Sequence, residues 1–364
     1  MSTIKDQAIS KMYSGLRQWP LAFQIAKRHL SGTIIQRVVQ RAITNSGMLE
    51  TEAQGINSTA MPRPASNKAG HWDHHVDLVE SRVLKGWLDW EFIEVEHIRP
   101  SVSGDKSVYY LQHFFQNHLP HTPVGRALSL GCGGGNLERA LINLNAAQSI
   151  DAYDASPESI RLANELAAKE GVADRIQYGV CDINTIKLEE GAYDFIVAKM
   201  SLHHFTDLDH IYGQIRRALK PGGVFMFNEF VGPTRFQWTD LQLSLANRVL
   251  QTLPQKYRRS AFSGEMLTEI RRPTEEEMIQ MDPSEAVNSS QIIPLLSKHF
   301  DILEHKKYGG TLLHLLMNHV MANFDTDDEL QATIVKMIFL YEQTLIDSSV
   351  LESDFCYVVA RPKK

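Results

Sequence analysis

Leu128-Ser129-Leu130-Gly131-Cys132-Gly133-Gly134-Gly135-Asn136 is the stretch of this 364-residue chain best equipped to meet a ligand. Four of the five residues from 131 to 135 are glycine, which lets a backbone turn sharply and approach a bound group with no Cβ in the way. A plain tight turn seldom needs so many. An apolar run precedes the loop and a helical run follows it. The helix start therefore offers free N–H groups and a partial positive charge to an anionic ligand group. The spacing reads GxGxG through Gly131, Gly133 and Gly135, whereas a dinucleotide fingerprint needs a third glycine at 136, where Asn136 stands.

Two acids follow at matching intervals. Asp154 ends the next β-like run, where a carboxylate accepts hydrogen bonds from both hydroxyls of a ribose. Each such charged bond contributes about 1.5–3 kcal/mol, and an acid there disfavours a 2′-phosphate, so NADP fits poorly. Capping the next helix is the plainer role for Asp154, but Ser156 already fills it. Asp182 follows the third run, where it can accept from an adenine amine while Ile183 packs on the ring.

Lys199-Met200-Ser201-Leu202-His203-His204-Phe205 follows the fourth run. Histidine titrates near neutrality, so His203 and His204 are candidate general bases for an acceptor that has to lose a proton. They fit equally well as loop histidines that bond backbone or cap the helix near Asp207. Glu229, at the end of the fifth run, can orient a histidine or bond a substrate hydroxyl; a structural strand-end acid is as good a reading. Arg235, Trp238, Tyr308 and His314 are candidate substrate contacts, although aromatic residues in helical insertions usually belong to cores. Tyr308-Gly309-Gly310-Thr311 opens a helix that can receive a carboxylate or phosphate.

The elements that hold these residues alternate. Strands are predicted over Arg126–Leu130, Ser149–Tyr153, Arg175–Val180, Asp194–Lys199 and Val224–Phe230. Helices are predicted between them over Asn136–Leu144, Pro157–Glu170 and Leu208–Leu219. Ser156-Pro157 is a cap followed by proline at the first helical position, and Lys220-Pro221-Gly222-Gly223 is a helix stop. Such alternation means βαβ units and a parallel sheet. Upstream, helices are predicted over Val76–Trp90 and Ser107–Leu119. Downstream the pattern is helical over Trp238–Tyr257 and Ser289–Lys298, then strand-like over Phe300–Lys306, helical over Thr311–Ile346 and strand-like over Asp354–Ala360.

Residues Ala127–Asn136, Asp154, Asp182, Tyr193–Lys199 and Leu219–Gly223 together resemble a class I S-adenosylmethionine-dependent methyltransferase. The resemblance covers about Val124–Phe230 and reaches on to the last strand. It implies an α/β fold with a Rossmann-like, doubly wound seven-stranded sheet, mostly parallel with the last strand antiparallel, carrying helical cap insertions. It also implies S-adenosylmethionine as cofactor. In that family the glycine loop holds the methionyl end, the acid after strand two the ribose, and the acid after strand three the adenine. The expected cofactor contacts are therefore Gly131, Cys132, Gly133, Gly135, Asp154, Ala155, Asp182, Ile183 and Lys199, with Cys132 lending backbone rather than thiol chemistry. The His203–His204 segment falls where the family borders the methyl group. Members that methylate DNA amino groups place an Asp/Asn-Pro-Pro-aromatic motif there, which this chain lacks. The family's final hairpin is here interrupted by the helical Thr311–Ile346 block.

The expected organisation is a basic amphipathic segment over 1–45, a linker over 46–70, a helical cap segment over 71–120, and the cofactor-binding core over 121–232. A helical cap insertion over 233–299 follows, and then the final strands over 300–364 with their inserted helices at 311–346. The expected reaction moves a methyl group to a small or carbohydrate-like polar acceptor, such as a glycan precursor, at oxygen. Methylation of a small amine at nitrogen, a non-catalytic scaffold that binds S-adenosylmethionine, and an NAD-dependent oxidoreductase are the rivals.

Composition trims the field. A formal charge of -6 attracts no nucleic acid. The longest apolar run, Thr311–Phe324, is broken by His314, Asn318 and His319, so no transmembrane span is expected. Cys132, Cys181 and Cys356 form no CxxC pair, and the N-terminus lacks a secretory h-region, so a reducing cytoplasm is the expected location. Seven Lys or Arg against one acid in 1–45 leave three readings: a helix packed on the main domain or on another subunit of a homo-oligomer, peripheral contact with a membrane, or a transit peptide. His71, His74 and His75 lack the accompanying acids or cysteines of a metal site, and no metal is expected.

Overall fold

The computed structural model describes residues 86–119 and 121–364. The basic segment 1–45, the linker 46–70, the His71/His74/His75 group and most of the helix predicted over Val76–Trp90 lie outside the described residues. Strands β1 (Val124–Leu130), β2 (Ala147–Asp154), β3 (Ile176–Val180), β4 (Tyr193–Lys199), β5 (Leu219–Phe230), β6 (Phe300–Gly309) and β7 (Phe355–Pro362) form one sheet in the order β3-β2-β1-β4-β5-β7-β6. The pairs β1–β2, β1–β4, β2–β3 and β4–β5 are parallel. β7 pairs antiparallel with both β5 and β6.

Successive side chains of a strand point to opposite faces, and here both faces are covered. Ala127, Phe195, Val197 and Met226 enter one apolar layer. Leu128, Leu130, Ile196, Ala198, Phe225 and Phe227 enter the other. A sheet buried on both sides reads as near-continuous apolar runs, which is why β1, β4 and β5 stand out in the sequence.

Local chemistry fixes the helices. In α3 (Pro157–Glu170) the Ser156 hydroxyl accepts from Ser159 N at 3.0 Å, and Gly171 closes the helix in the left-handed region at φ 72°; the bounds are the predicted ones. Helix α1 (Tyr110–His118) precedes the sheet, α2 (Asn136–Asn143) follows the glycine loop, and α4 (Leu208–Ala218) lies between β4 and β5. The predicted stop at Lys220–Gly223 falls at Ala218 instead. Leu219 already pairs with Tyr193, and a register shift between Tyr193 and Phe195 absorbs the proline and glycines.

The insertions are helical, with more breaks than predicted. Trp238–Tyr257 resolves into α5 (Asp240–Thr252) and a 3-10 turn Gln255–Tyr257 after Pro254. Then come α6 (Glu275–Met281) and α7 (Ile292–His299). The Thr311–Ile346 block splits into α8 (Leu313–Val320) and α9 (Glu329–Asp347), the latter capped where Asp328 accepts from Gln331 N at 2.9 Å. No described helix is long and apolar enough to cross a membrane.

Strand order reverses between β1 and β4. The chain leaves these neighbours toward opposite faces, opening a crevice at their carboxyl ends. The glycine loop follows β1 and the His203 segment follows β4.

Candidate active site

Backbone conformation explains two of the loop glycines. Gly131 has φ 73°, and a Cβ there would collide with the Ser201 side chain. Gly135 has φ 74°, and a Cβ there would strike the Tyr178 hydroxyl and lie 2.9 Å from the Ala163 Cβ. At Gly133 a Cβ would meet nothing within 4 Å, so bare backbone there borders open space. Such bare backbone lets a ligand approach closely.

Asp154 organises the loop. Its Oδ2 accepts from Gly133 N at 2.8 Å and its Oδ1 from Ser156 N at 2.9 Å. A carboxylate has about four lone-pair sites, and two backbone donors converge on this one. Asp182 caps a short 3-10 turn, accepting from Asn184 N at 3.0 Å, and Ile183 beside it is buried. Ala155, just past β2, and Lys199, the last residue of β4, are exposed. The Lys199 ammonium lies over the Tyr110 ring at 5.9 Å. Burial, with Glu138 and Asp154 after it, pushes the Cys132 thiol well above its usual range, so it carries no thiolate at neutral pH.

Across the crevice, Glu229 grips the segment after β4. It is fully buried. Its Oε2 accepts from Ser201 N at 2.8 Å and Leu202 N at 2.7 Å. Its Oε1 accepts from Phe230 N at 2.6 Å and from His203 Nδ1. His203 Nε2 then faces Glu285 Oε1 at 3.6 Å. His204, whose ring centroid lies 4.1 Å from that of His203, faces Glu285 Oε2 through Nε2 at 3.9 Å and Asp282 Oδ2 through Nδ1 at 3.7 Å. Burial works to lower the His203 pKa, but the Glu229 carboxylate, then Glu285 and Asp282, raise it to about 9. One ligand-type atom each from His203, His204 and Glu285 lies within 4.8 Å of the others, a spacing that suits a shared proton or a small cation.

Asp282, Ser284 and Glu285 were not foreseen from sequence. They lie in the loop after α6, about eighty residues from the histidines, and no local pattern marks them. Val287 N donates to His203 O at 3.0 Å, and Ser284 Oγ lies 3.3 Å from His204 Nδ1. Arg235 locks the loop in place: its N donates to Ala286 O at 2.8 Å and its guanidinium to Glu285 O at 3.1 Å.

The other three substrate candidates fall in packed core rather than at this cluster. Trp238 stacks on Phe236 at 5.1 Å, and His314 meets both edge-on. Burial lowers the His314 pKa to about 3, leaving a neutral ring. Tyr308 is buried and donates its hydroxyl to Asn228 Oδ1. The helix start predicted to receive an anion after Tyr308 already holds a carboxyl group of the protein. Glu342, fully buried on α9, accepts from Gly310 N and Leu313 N at 2.9 Å each, and from Leu312 N.

A family model described as a methyltransferase domain matches residues 122–286. A sterol 24-C-methyltransferase of Gibberella zeae is 25% identical over 194 residues, 53% of this chain and 49% of that protein. The 27-O-demethylrifamycin SV methyltransferase of Amycolatopsis mediterranei is 26% identical over 176 residues, 47% of this chain and 61% of that protein. This chain thus spans about half the length of the curated relatives it matches. Among solved structures, Haemonchus contortus phosphoethanolamine N-methyltransferase 2 in complex with S-adenosyl-L-methionine is similar at TM-score 0.43 and 18% identity, covering 69% of this chain and 51% of that one. Residues 122–286, which match that family model and supply β1 to β5 of the sheet with the glycine cradle after β1, are a class I S-adenosylmethionine-dependent methyltransferase domain.

Proposed function

We propose that this chain transfers the methyl group of S-adenosylmethionine to an oxygen of a small polar acceptor, with His203 as the base and Glu229 as its positioning residue. The observation that carries this reading is the buried His203–Glu229 pair at the carboxyl end of β4, with Nε2 turned to Glu285. Relatives named for a sterol and a rifamycin support a small-molecule acceptor.

Gly131, Cys132, Gly133 and Gly135 would hold the methionyl end of the cofactor, Asp154 the ribose, Asp182 and Ile183 the adenine, and Ala155 and Lys199 would flank it. When bound, it supplies an electrophilic methyl group and a neutral thioether leaving group. Alignment of the acceptor behind that methyl group accounts for much of the catalysis. His203 Nε2 takes the acceptor's hydroxyl proton while Glu229, on Nδ1, fixes the tautomer and stabilises the imidazolium that results. The loop of Asp282, Ser284 and Glu285, held by Arg235, brings selectivity to the mouth from the 233–299 insertion. Trp238, Tyr308 and His314 then serve as packed core rather than as substrate contacts.

A specific observation favours a second reading. Three carboxylates (Glu229, Asp282 and Glu285) face two imidazoles here. An acid-rich mouth also suits a protonated amine, which would be methylated at nitrogen. Incubation with isotopically labelled methyl donor and a cell extract, followed by mass spectrometry of the product, tests both. Label on oxygen supports the first reading, label on nitrogen replaces it with the second, and no labelled product from any extract fraction favours a scaffold.

A further inference from the structure

Glu138 stands in the first turn of α2, directly after the glycine loop, and is 0% exposed. Among the described residues neither of its carboxyl oxygens has a hydrogen-bond partner. The Tyr110 hydroxyl, buried as well, is in the same condition. Glu138 lies among the groups of the cofactor cradle. After burial, its charge is the largest influence raising the pKa of the Cys132 thiol and of the Tyr178 phenol, whose hydroxyl donates to Gly135 O at 3.3 Å.

An acid in this position gains nothing from packing. A buried carboxyl without partners is costly, and it answers by keeping its proton. Burial pushes Glu138 up to about 7, against the opposing influence of Ser129, of its own backbone N–H and of the Arg139 charge. A leucine would fill the space without that penalty, and a carboxyl in its place suits a positively charged partner that arrives with a ligand. A methionyl tail in the glycine loop brings an ammonium group, and the start of α2 favours the ionised carboxylate that would meet it.

We propose that Glu138 is a cofactor-binding residue that holds the α-ammonium of S-adenosylmethionine. This rests on the reading that residues 131–135 cradle the methionyl end. The exchange balances simply: the neutral carboxyl gives its proton to water, the ammonium keeps its own, and a charge-assisted hydrogen bond forms between carboxylate and ammonium.

Calorimetry on the full chain with three probes tests it. S-adenosylmethionine carries ammonium and sulfonium, S-adenosylhomocysteine only the ammonium, and 5′-methylthioadenosine neither. Glu138→Gln keeps the shape and removes the charge. It should weaken the first two probes by roughly ten- to hundredfold and leave the third within about twofold. Wild-type protein titrated near neutral pH in buffers of different ionisation enthalpy should release a proton on binding S-adenosylhomocysteine, a readout that needs no variant to fold. In Glu138→Gln that release should vanish. Equal weakening of all three probes would make Glu138 a structural residue and overturn the assignment. Weakening of S-adenosylmethionine alone would move its role to the sulfonium and overturn it as well, and so would absence of proton release in the wild type. Wild-type protein that binds none of the three removes the cofactor reading itself, and this assignment with it.

Discussion

Glu229 and His203 are joined inside the protein, the Nδ1–H of the ring donating to one carboxylate oxygen while the other oxygen collects the backbone N–H groups of Ser201 and Leu202. One side chain therefore shapes the loop after β4 and aims the imidazole it carries. Glu229→Gln swaps an acceptor for an NH2 group that cannot satisfy those donors. Thermal or urea unfolding should register a loss of about 2–4 kcal/mol, along with a marked fall in turnover. A variant as stable as the parent would show that the loop holds without this anchor.

The pH profile separates a base from a bystander. His203 carries its proton below about pH 9, and only the unprotonated ring can accept another. Turnover of an oxygen acceptor should climb with pH and level off above that point, while His203→Gln should flatten the limb and lower kcat by roughly 10²–10⁴-fold. The same raised pKa gives a stability contribution that is complete below the ordinary value of 6.5 and is lost as pH rises through about 9. A flat wild-type limb would relieve His203 of the role.

Asp154 holds the glycine loop and is proposed to hold a ribose, and its variants should separate the two. Asp154→Ala removes the acceptor for Gly133 N and Ser156 N as well as for a ribose, so S-adenosylmethionine affinity should fall by roughly a hundredfold or more. Asp154→Asn keeps an oxygen for the loop and should recover stability more than affinity. Unchanged affinity in both would remove the ribose assignment.

Gly131 and Ser201 make a steric pair. Gly131→Ala should lose cofactor binding and melt earlier, because the new methyl group meets the Ser201 side chain. Adding Ser201→Gly should restore part of the loss. The remainder, on the order of 1 kcal/mol, is the penalty of φ 73° for a residue with a Cβ. No rescue by the second change would mean that backbone strain alone governs the position.

Glu342 should behave as an internal cap for the turn that leads into α8. Glu342→Ala strands the N–H groups of Gly310, Leu312 and Leu313 and should cost about 3 kcal/mol or more in urea unfolding, with S-adenosylmethionine affinity unaltered. A loss confined to cofactor binding would tie the residue to the site instead.

The parts legible in the sequence were those whose signals are local. Ser156, Pro157 and Gly171 punctuate α3 closely enough to give both its ends, and the doubly buried strands announce themselves as apolar runs. The order of glycine loop, Asp154 and Asp182 was readable because each follows its own strand. What escaped was set by long-range packing. Asp282 and Glu285 reach the histidines only because Arg235 and Val287 dock their loop there. The helix start after Tyr308 looked free to take a ligand because its occupant, Glu342, is supplied by α9 from a distant part of the chain. Trp238, Tyr308 and His314 carry polar atoms that suggested a binding wall, yet their surroundings are aromatic core.

The double service of Glu229 also bears on how such a chain can change its chemistry over generations. A change at that position would alter the imidazole and the scaffold together. The Asp282–Glu285 loop touches the same histidines from outside the sheet and carries no strand on its back. New acceptors would be won on that side first, with the anchor beneath the imidazole inherited intact.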